Sequence, residues 1–315
     1  MPEETNVEAE ETVPEEAAKT QAEEPKGEKE PAEPKKKPNI KVIVTAVVIA
    51  LAAIGGGAYW YVNYQVPHQK AVDAFNQAVA GLDERNVKLD AAIADLQDLQ
   101  GSDDKPLDTA VDEAASSAIG QAQAAKQSAP EMPDSTDEIN ASAKKIDGMG
   151  EYQEQLDALT TAKQNLQNSI DQLKQVTCPS EAFVIERLTG LPNVTGVEAV
   201  TETNDPNGKL NKAGGYTASV YFSSDLVDSS DLWPSDGYTG IVAYGCDGGG
   251  CVEVYKTAEE AEARNEYLAG YDSNALLAPG SHEVLGTCVV RTSDKLTASQ
   301  QQTMAQNIKD SLTRL

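Results

Sequence analysis

The sequence predicts an α+β protein that is held in a membrane by a single transmembrane helix. Three observations predict it: an uncharged run of 21 residues near the N-terminus, heptad patterning through the middle of the chain, and short β-branched and aromatic runs among glycines in the last 138 residues. We expect four regions, namely an acidic tail over 1–38, a transmembrane helix over 39–64, a helical stalk over 65–176 and an α+β domain over 177–315.

The uncharged run extends from Val42 to Val62. A helix rises 1.5 Å per residue, so about 20 apolar residues cross the hydrocarbon core. Lysines precede the run and Tyr and Trp rings follow it, which predicts a cytoplasmic N-terminus and an extracellular C-terminus. A cleaved signal peptide is the alternative, with cleavage near Gly55 to Ala58, but its apolar stretch is typically only about 7 to 15 residues. We therefore predict an uncleaved signal-anchor and a single-pass protein of the cell membrane.

The tail before this run is rich in charge, with twelve Glu and seven Lys up to residue 41 and few large aliphatic side chains. Such a composition buries too little apolar surface to offset the entropy of ordering, so residues 1–38 are predicted to be disordered in the cytoplasm. The whole chain carries a formal charge of −26 at pH 7. This charge argues against nucleic acid as a partner, because the phosphates would be repelled.

The stalk region shows apolar residues spaced alternately three and four apart, with the polar Asn86 in the same stripe. This is the a/d pattern of packed helices. Glycine- and proline-containing segments divide the region into three predicted helices, and Ser135 with Glu138 forms a capping box that opens the third. Gly148 and Gly150 could divide this third helix into two. The first stripe is Val72, Phe75, Val79, Leu82, Asn86, Leu89, Ile93 and Leu96.

Three helices joined by short turns favour an antiparallel bundle within one chain. A parallel coiled coil between two or three chains is the alternative, so a homo-oligomer through the stalk is also possible on this pattern. Because an odd number of helices carries the chain away from the membrane, we expect the α+β domain at the tip of the stalk.

The α+β domain shows short strand patterns, most of them consecutive along the chain, with helices collected at its ends. This order favours an antiparallel sheet. Capping boxes at Thr257 with Glu260, and at Thr297 with Gln300, open two helices. We expect strands near residues 194–201, 216–222, 240–244, 251–255 and 287–292, and helices over 180–188, 258–269 and 298–313.

All four cysteines lie in this domain, which suits disulfides in an oxidising compartment; four reduced core cysteines are the alternative. Cys246 and Cys251 flank a glycine-rich segment between two predicted strands, so a hairpin would bring them within disulfide reach. Four cysteines allow three pairings, and by elimination Cys178 would join Cys288. A structural role is favoured over a redox role for the short pair, since the CxxC spacing is absent from the sequence.

The residues that could form a functional site belong to incomplete motifs. Asp205 and Asn207 have the alternate spacing of calcium ligands, but the EF-hand pattern is incomplete and the surrounding residues also suit a tight turn. The sequence lacks a nucleophile elbow, a Walker loop and a dinucleotide fingerprint, so no catalytic residue and no cofactor is predicted. The two histidines are His68 and His282, and acidic residues that could pair are Glu198, Glu202, Asp205 and Glu253.

Three segments of the α+β domain carry a resemblance: TETNDPNGKLNKAGGYTASVYF at 201–222, GGCVEVYKTAEEAEARNEYL at 249–268 and VVRTSDKLTASQ at 289–300. Together they resemble a domain of unknown function in cell-surface and secreted proteins of actinobacteria of the bifidobacterial type. The resemblance covers most of 178–315 and neither the stalk nor the tail. It implies a cell-envelope setting, transfers no catalytic residues, and hints at matrix adhesion through the names of relatives.

We therefore expect a membrane-anchored extracellular protein that presents a non-enzymatic binding or adhesion domain on a helical stalk. Its expected partners are the membrane and an extracellular protein or cell-wall ligand that the sequence does not identify. A sensory or assembly protein of the envelope is one alternative, and an unrecognised extracellular hydrolase is another.

Overall fold

A computed structural model describes residues 40–273 and 279–315, without the side chains of residues 40–43. The predicted disordered tail over 1–38 lies outside the described residues. The α+β class is confirmed, because helices lie beside one antiparallel sheet of five strands. The chain divides after Tyr64 into two compact units, which are described separately below.

Helix α1 covers Ile40–Trp60, and a π-helical turn follows at Tyr61–Gln65. Within the described residues, the helical stretch that begins here is the one that is long and apolar enough to cross a membrane. Its large apolar side chains from Val44 onwards are exposed in the isolated chain, as lipid-facing side chains would be. The orientation of this helix in a membrane stays a prediction.

Four helices follow instead of the three predicted: α2 at Val66–Gln100, α3 at Ala110–Ala125, α4 at Thr136–Asp147 and α5 at Gln153–Gln175. The third predicted helix divides at Gly150, which has a φ of +72°, a conformation that favours glycine. A Cβ there would lie 2.8 Å from Leu82 Cδ1, so the break also lets α2 approach closely.

Helix α3 runs antiparallel to α2, since Lys126 at its end binds Asp90. Helices α4 and α5 both run in the direction of α2: Thr136 at the start of α4 lies beside His68, and Lys163 of α5 binds Asp95. The predicted stripe of α2 faces these helices of its own chain, and it is buried at Phe75, Leu82, Leu89, Ile93 and Leu96.

Asn86, the polar member of that stripe, is used within the chain. Its Oδ1 accepts a hydrogen bond of 2.8 Å from the Tyr152 hydroxyl, and its Nδ2 donates to the Gln127 carbonyl at 3.0 Å. The residue therefore fixes the place where α5 begins against α2. The sequence pattern had left open that it sets the register between chains, and oligomerisation stays a prediction.

The sheet has the strand order β1-β2-β3-β5-β4, with every neighbouring pair antiparallel. One face packs against α6 at Glu181–Leu188 and α8 at Ala298–Thr313, and the other against α7 at Ala258–Ala269. The strands are β1 at Val194–Ala199, β2 at Ala218–Ser224, β3 at Gly249–Val254, β4 at His282–Leu285 and β5 at Cys288–Thr292.

Two strand predictions were wrong. Residues 240–244 do not form a strand, because the backbone N–H groups of Ile241 and Val242 donate to the Glu198 carboxylate and the chain enters a 3-10 segment at Val242–Gly248. The edge strand β4 was not predicted, and His282 is its first residue.

The end of α5 is built into the α+β domain. Val176 is fully buried in the apolar cluster beneath the sheet, and its carbonyl accepts the Thr287 backbone N–H at 3.0 Å. The Gln175 side chain donates to the carbonyls of Leu312 and Arg314 at 2.7 and 3.0 Å. The helical region and the sheet are thus joined by shared core and hydrogen bonds, not by a free linker.

Candidate functional site

A row of polar side chains crosses the whole sheet on the face covered by α7. Strand register places Glu198, Tyr221, Cys251, Arg291 and His282 opposite one another on β1, β2, β3, β5 and β4. Successive side chains of a strand point to opposite faces, so these residues share one face and the valines between them share the other. The face of the sheet beneath α7 therefore carries this row of polar and titratable side chains.

Glu253 lies at the centre of this face and is fully buried. Its Oε2 accepts hydrogen bonds from Arg264 Nε and the Tyr255 hydroxyl, both at 2.8 Å. Its Oε1 accepts Arg264 Nη2 at 2.9 Å and Arg291 Nη1 at 2.8 Å. Burial raises the pKa of the Glu253 carboxyl, but the two guanidinium groups outweigh it and hold the pKa below its ordinary value. The carboxylate is therefore charged and fully paired.

A cavity of about 510 Å³ opens beside this cluster, between α7 and the loop before β2. Arg264 extends into its lining from α7 and stacks over the Tyr267 ring, with its guanidinium carbon 5.4 Å from the ring centroid. Tyr216 and Tyr255 contribute two further aromatic walls, and Lys209 lies in the lining on the loop side. The cavity thus combines tyrosine rings with two cationic side chains.

Asp205 and Asn207 belong to the loop that forms this side of the cavity. The Asp205 carboxylate accepts the backbone N–H groups of Asn207, Lys209 and Leu210 and the hydroxyl of Tyr216. Burial raises its pKa, but these donors outweigh it and hold the pKa below its usual range. Since its oxygens already accept these donors, the geometry favours a turn that orders the loop over a calcium site. Within the described residues there is no group of three or more side chains suited to hold a metal ion.

The other candidate residues from the sequence are dispersed. Glu198 caps the segment at Ile241, as described above, and Glu202 lies exposed in a turn. The His282 ring hydrogen-bonds to Asn265 Oδ1 at 2.7 Å and to Asp272 Oδ1 at 3.1 Å, so it ties β4 to α7 and to the residues after it. The structure therefore does not bring these groups together into a catalytic arrangement.

All four cysteines are free thiols in the structure, so the predicted disulfides are not present. The predicted hairpin is also absent, yet the sulfurs of Cys246 and Cys251 lie 2.9 Å apart, because the 3-10 segment turns directly into β3. A hydrogen bond from the Cys251 thiol and the nearby Arg291 guanidinium lower the pKa of Cys246. Burial, and then the Cys246 thiol, raise the pKa of Cys251.

The second pair also lies close. The Cys178 backbone N–H donates to Thr287 Oγ1 at 2.6 Å, and Thr287 directly precedes Cys288. Burial, and then the neighbouring Cys178, raise the pKa of the Cys288 thiol to about 12. Cys178 and Cys288, which were predicted to pair, are therefore neighbours in the fold.

Sequence reasoning missed the residues that build the cavity, namely Lys209, Tyr216, Tyr255, Arg264 and Tyr267. One signal was present: in the segment from Cys251 to Tyr255, residues with polar groups alternate with valines. Such alternation is typical of a strand with one solvated face, but here α7 covers that face.

Comparison with protein-family models, with curated proteins and with solved structures found no match for this chain. The resemblance to actinobacterial surface proteins therefore stays a prediction.

Proposed function

We propose that this chain is a single-pass membrane protein whose helices α2–α5 hold the α+β domain outside the cell as a binding module. The observation that carries the binding role is the cavity beside α7. The buried Glu253 carboxylate holds its Arg264 and Tyr255 walls, and Asp205 holds the loop that carries Lys209. A ligand site of this kind is concave, with a few fixed polar groups that give orientation.

The link between α5 and the domain supports a presenting role for the helical region. Because Val176 lies in the core of the sheet domain, the orientation of α5 fixes the orientation of the domain, and a force on α5 is transmitted to it. In this proposal α1 is the anchor, and the lysines before it keep the N-terminus in the cytoplasm. The packing of α2–α5 within the chain does not require a second chain. Association of two such chains through these helices stays a separate prediction.

Binding is favoured over hydrolysis by the chemistry of the cavity. Hydrolysis of glycosides typically uses two carboxyl groups on either side of the scissile bond. Among the described residues that line the cavity, Glu260 supplies the carboxylate, and one of its oxygens accepts the Lys256 backbone N–H at 3.2 Å. We therefore propose a non-enzymatic role.

The extracellular setting further leads us to propose that Cys246 pairs with Cys251 and Cys178 with Cys288. Each bond forms with loss of two protons and two electrons to a thiol oxidant of the envelope. The proximity of both pairs supports this pairing, since each partner already lies beside the other.

Protease added to intact cells tests the topology and the disulfides together. We expect it to remove an epitope placed after Leu315 and to leave an epitope placed before Met1 intact. Mass spectrometry of the released fragments without reduction should show both cysteine pairs linked. Protection of both epitopes, or alkylation of all four thiols at the cell surface, would contradict the proposal.

Retention on envelope polymers tests the binding role. The full chain in lipid nanodiscs should be retained on isolated cell-wall polymer or on immobilised matrix protein, whereas empty nanodiscs should pass. Retention on neither material would argue against a binding module. A phenotype lost on deleting residues 1–34 alone, with retention absent, would instead favour the sensory alternative.

A further inference from the structure

We infer that the cavity beside α7 binds a saccharide that carries a carboxylate, with the acid group held between Arg264 and Lys209. This inference rests on the proposed binding function and names the ligand class of that same site. Four properties of the cavity point to it: the charge of the cluster behind it, the free face of Arg264, the position of Lys209, and the composition of its walls.

The buried cluster behind the cavity has more positive than negative charge. One carboxylate, that of Glu253, faces two guanidinium groups, those of Arg264 and Arg291. When Cys246 and Cys251 are joined in a disulfide they add no charge. A surplus cation at the edge of a low-dielectric region attracts an anion more strongly than one in open water. This surplus is local to the cluster, because the Asp205 carboxylate lies in the loop on the other side of the cavity and the chain as a whole carries a charge of −26.

Arg264 presents a free donor group at this edge. Its Nε and Nη2 are taken up by Glu253, and Nη1 has no hydrogen-bond partner in the part of the chain that the structure describes. Among the described residues, Nη1 of Arg264 is not one of the polar atoms that are both buried and unpaired. Solvent therefore reaches Nη1. The bidentate bond to Glu253 and the contact with Tyr267 fix the guanidinium before a ligand arrives.

Lys209 supplies the second cation from the opposite wall. Its side chain is exposed and makes no hydrogen bond or ion pair with another described residue. The backbone of the same residue is held by Asp205, so the side chain projects from an ordered turn. Glu260 also lines the cavity and carries the opposing charge, so the acid group of a ligand would lie between the two cations and away from Glu260.

The walls favour a saccharide over a peptide. Of the ten described residues that line the cavity, three are tyrosines, and Ala263 is the largest aliphatic side chain. Tyr267 is the exposed ring on which a sugar can stack, while Tyr216 and Tyr255 are almost fully buried behind it. A peptide ligand would seek an aliphatic pocket for its side chains, whereas a sugar ring stacks its C–H face on aromatic rings. Asn207, the exposed hydroxyl of Tyr267 and the backbone at Gly214 and Gly215 supply donors and acceptors for sugar hydroxyls, whereas the Tyr216 and Tyr255 hydroxyls are bound to Asp205 and Glu253.

Calorimetric titration of the full chain in nanodiscs tests the inference. The probes are a galacturonic acid trisaccharide and its carboxyl-reduced, neutral counterpart. We expect the acidic sugar to bind at least tenfold more tightly than the neutral one, and its affinity to fall with added salt. Lys209→Gln should weaken the acidic sugar about tenfold, the loss expected for one hydrogen bond to a charged group. Tyr267→Ala should weaken both sugars severalfold.

Lys212→Gln is the matched control, since it removes the same charge from the same loop outside the lining and should leave both affinities unchanged. Equal binding of the two sugars, equal losses in the two lysine variants, tighter binding of trialanine than of the acidic sugar, or no binding of either sugar would each overturn the inference. Retention of the wild-type chain on envelope polymer is measured separately. It would leave the proposed function standing if the saccharide arm alone failed.

Discussion

Replacing Glu253 by Gln is expected to destabilise the α+β domain by about 3–5 kcal/mol, the cost of removing one partner from a buried ion pair. The wild-type carboxylate is fully buried and accepts four hydrogen bonds, three of them from Arg264 and Arg291. The amide of Gln has one acceptor oxygen and turns an NH₂ group towards guanidinium donors. Two cations then remain against it without a counter-charge, and Arg291 has little access to water, at 11% side-chain exposure.

The loss should depend on pH in a defined direction. The pKa of Glu253 is lower in the folded protein than its ordinary value of 4.5, so its ionisation stabilises the fold above that value. This contribution disappears as the pH falls through the folded pKa. The difference between wild type and variant should therefore be full at neutral pH and should shrink in acid below about pH 4.5.

Urea unfolding of the full chain, followed by near-ultraviolet circular dichroism of the buried tyrosines, measures this effect. Glu262→Gln is the control, because it removes the same charge from an exposed position of α7. We expect that change to stay within about 0.5 kcal/mol of wild type. A loss of less than about 1 kcal/mol in the Glu253 variant would show that the cluster does not hold the domain together.

The parts of the fold that local pattern specifies were predicted well. Strands β1, β2, β3 and β5 carry β-branched and aromatic runs, and helices α7 and α8 begin at the predicted capping residues Thr257 and Thr297. Residues 240–244 have the same local composition, but the distant carboxylate of Glu198 captures their N–H groups. Strand β4 has four residues at the sheet edge, too few for a clear alternation.

The candidate site was less accessible to prediction for a related reason. The sequence of helix α7 is typical of a solvated helix, since four of its twelve residues are glutamates and four of its apolar residues are alanines. The helix covers the sheet because its Arg264 forms an ion pair with the carboxylate of Glu253 on β3. A buried pair between a helix and a strand leaves no periodic signal in either segment, because each charge alone is typical of an exposed face. The pairing becomes visible only when the sheet register places Glu253 beneath α7.

Gly250→Ala is expected to destabilise the domain by about 3 kcal/mol or more, although it adds a single methyl group. Gly250 lies in β3 directly between Phe222 of β2 and Thr292 of β5. A Cβ at this position would lie 2.2 Å from the Arg291 carbonyl oxygen and 2.5 Å from Phe222 Cζ. The first neighbour is backbone in a paired strand, and the second belongs to a fully buried ring, so neither can move away without loss of packing.

The matched control for this substitution is Gly120→Ala in α3, where an added Cβ meets nothing within 4 Å. Alanine restricts the unfolded chain and suits a helix interior, so we expect this change to stabilise the protein by about 0.5–1 kcal/mol. The same methyl group thus has opposite effects at the two positions, measured by the same urea unfolding. Equal effects would mean that Phe222 and the Arg291 backbone do not lie as close to Gly250 as the structure shows. The sheet would then have space for a side chain at this position.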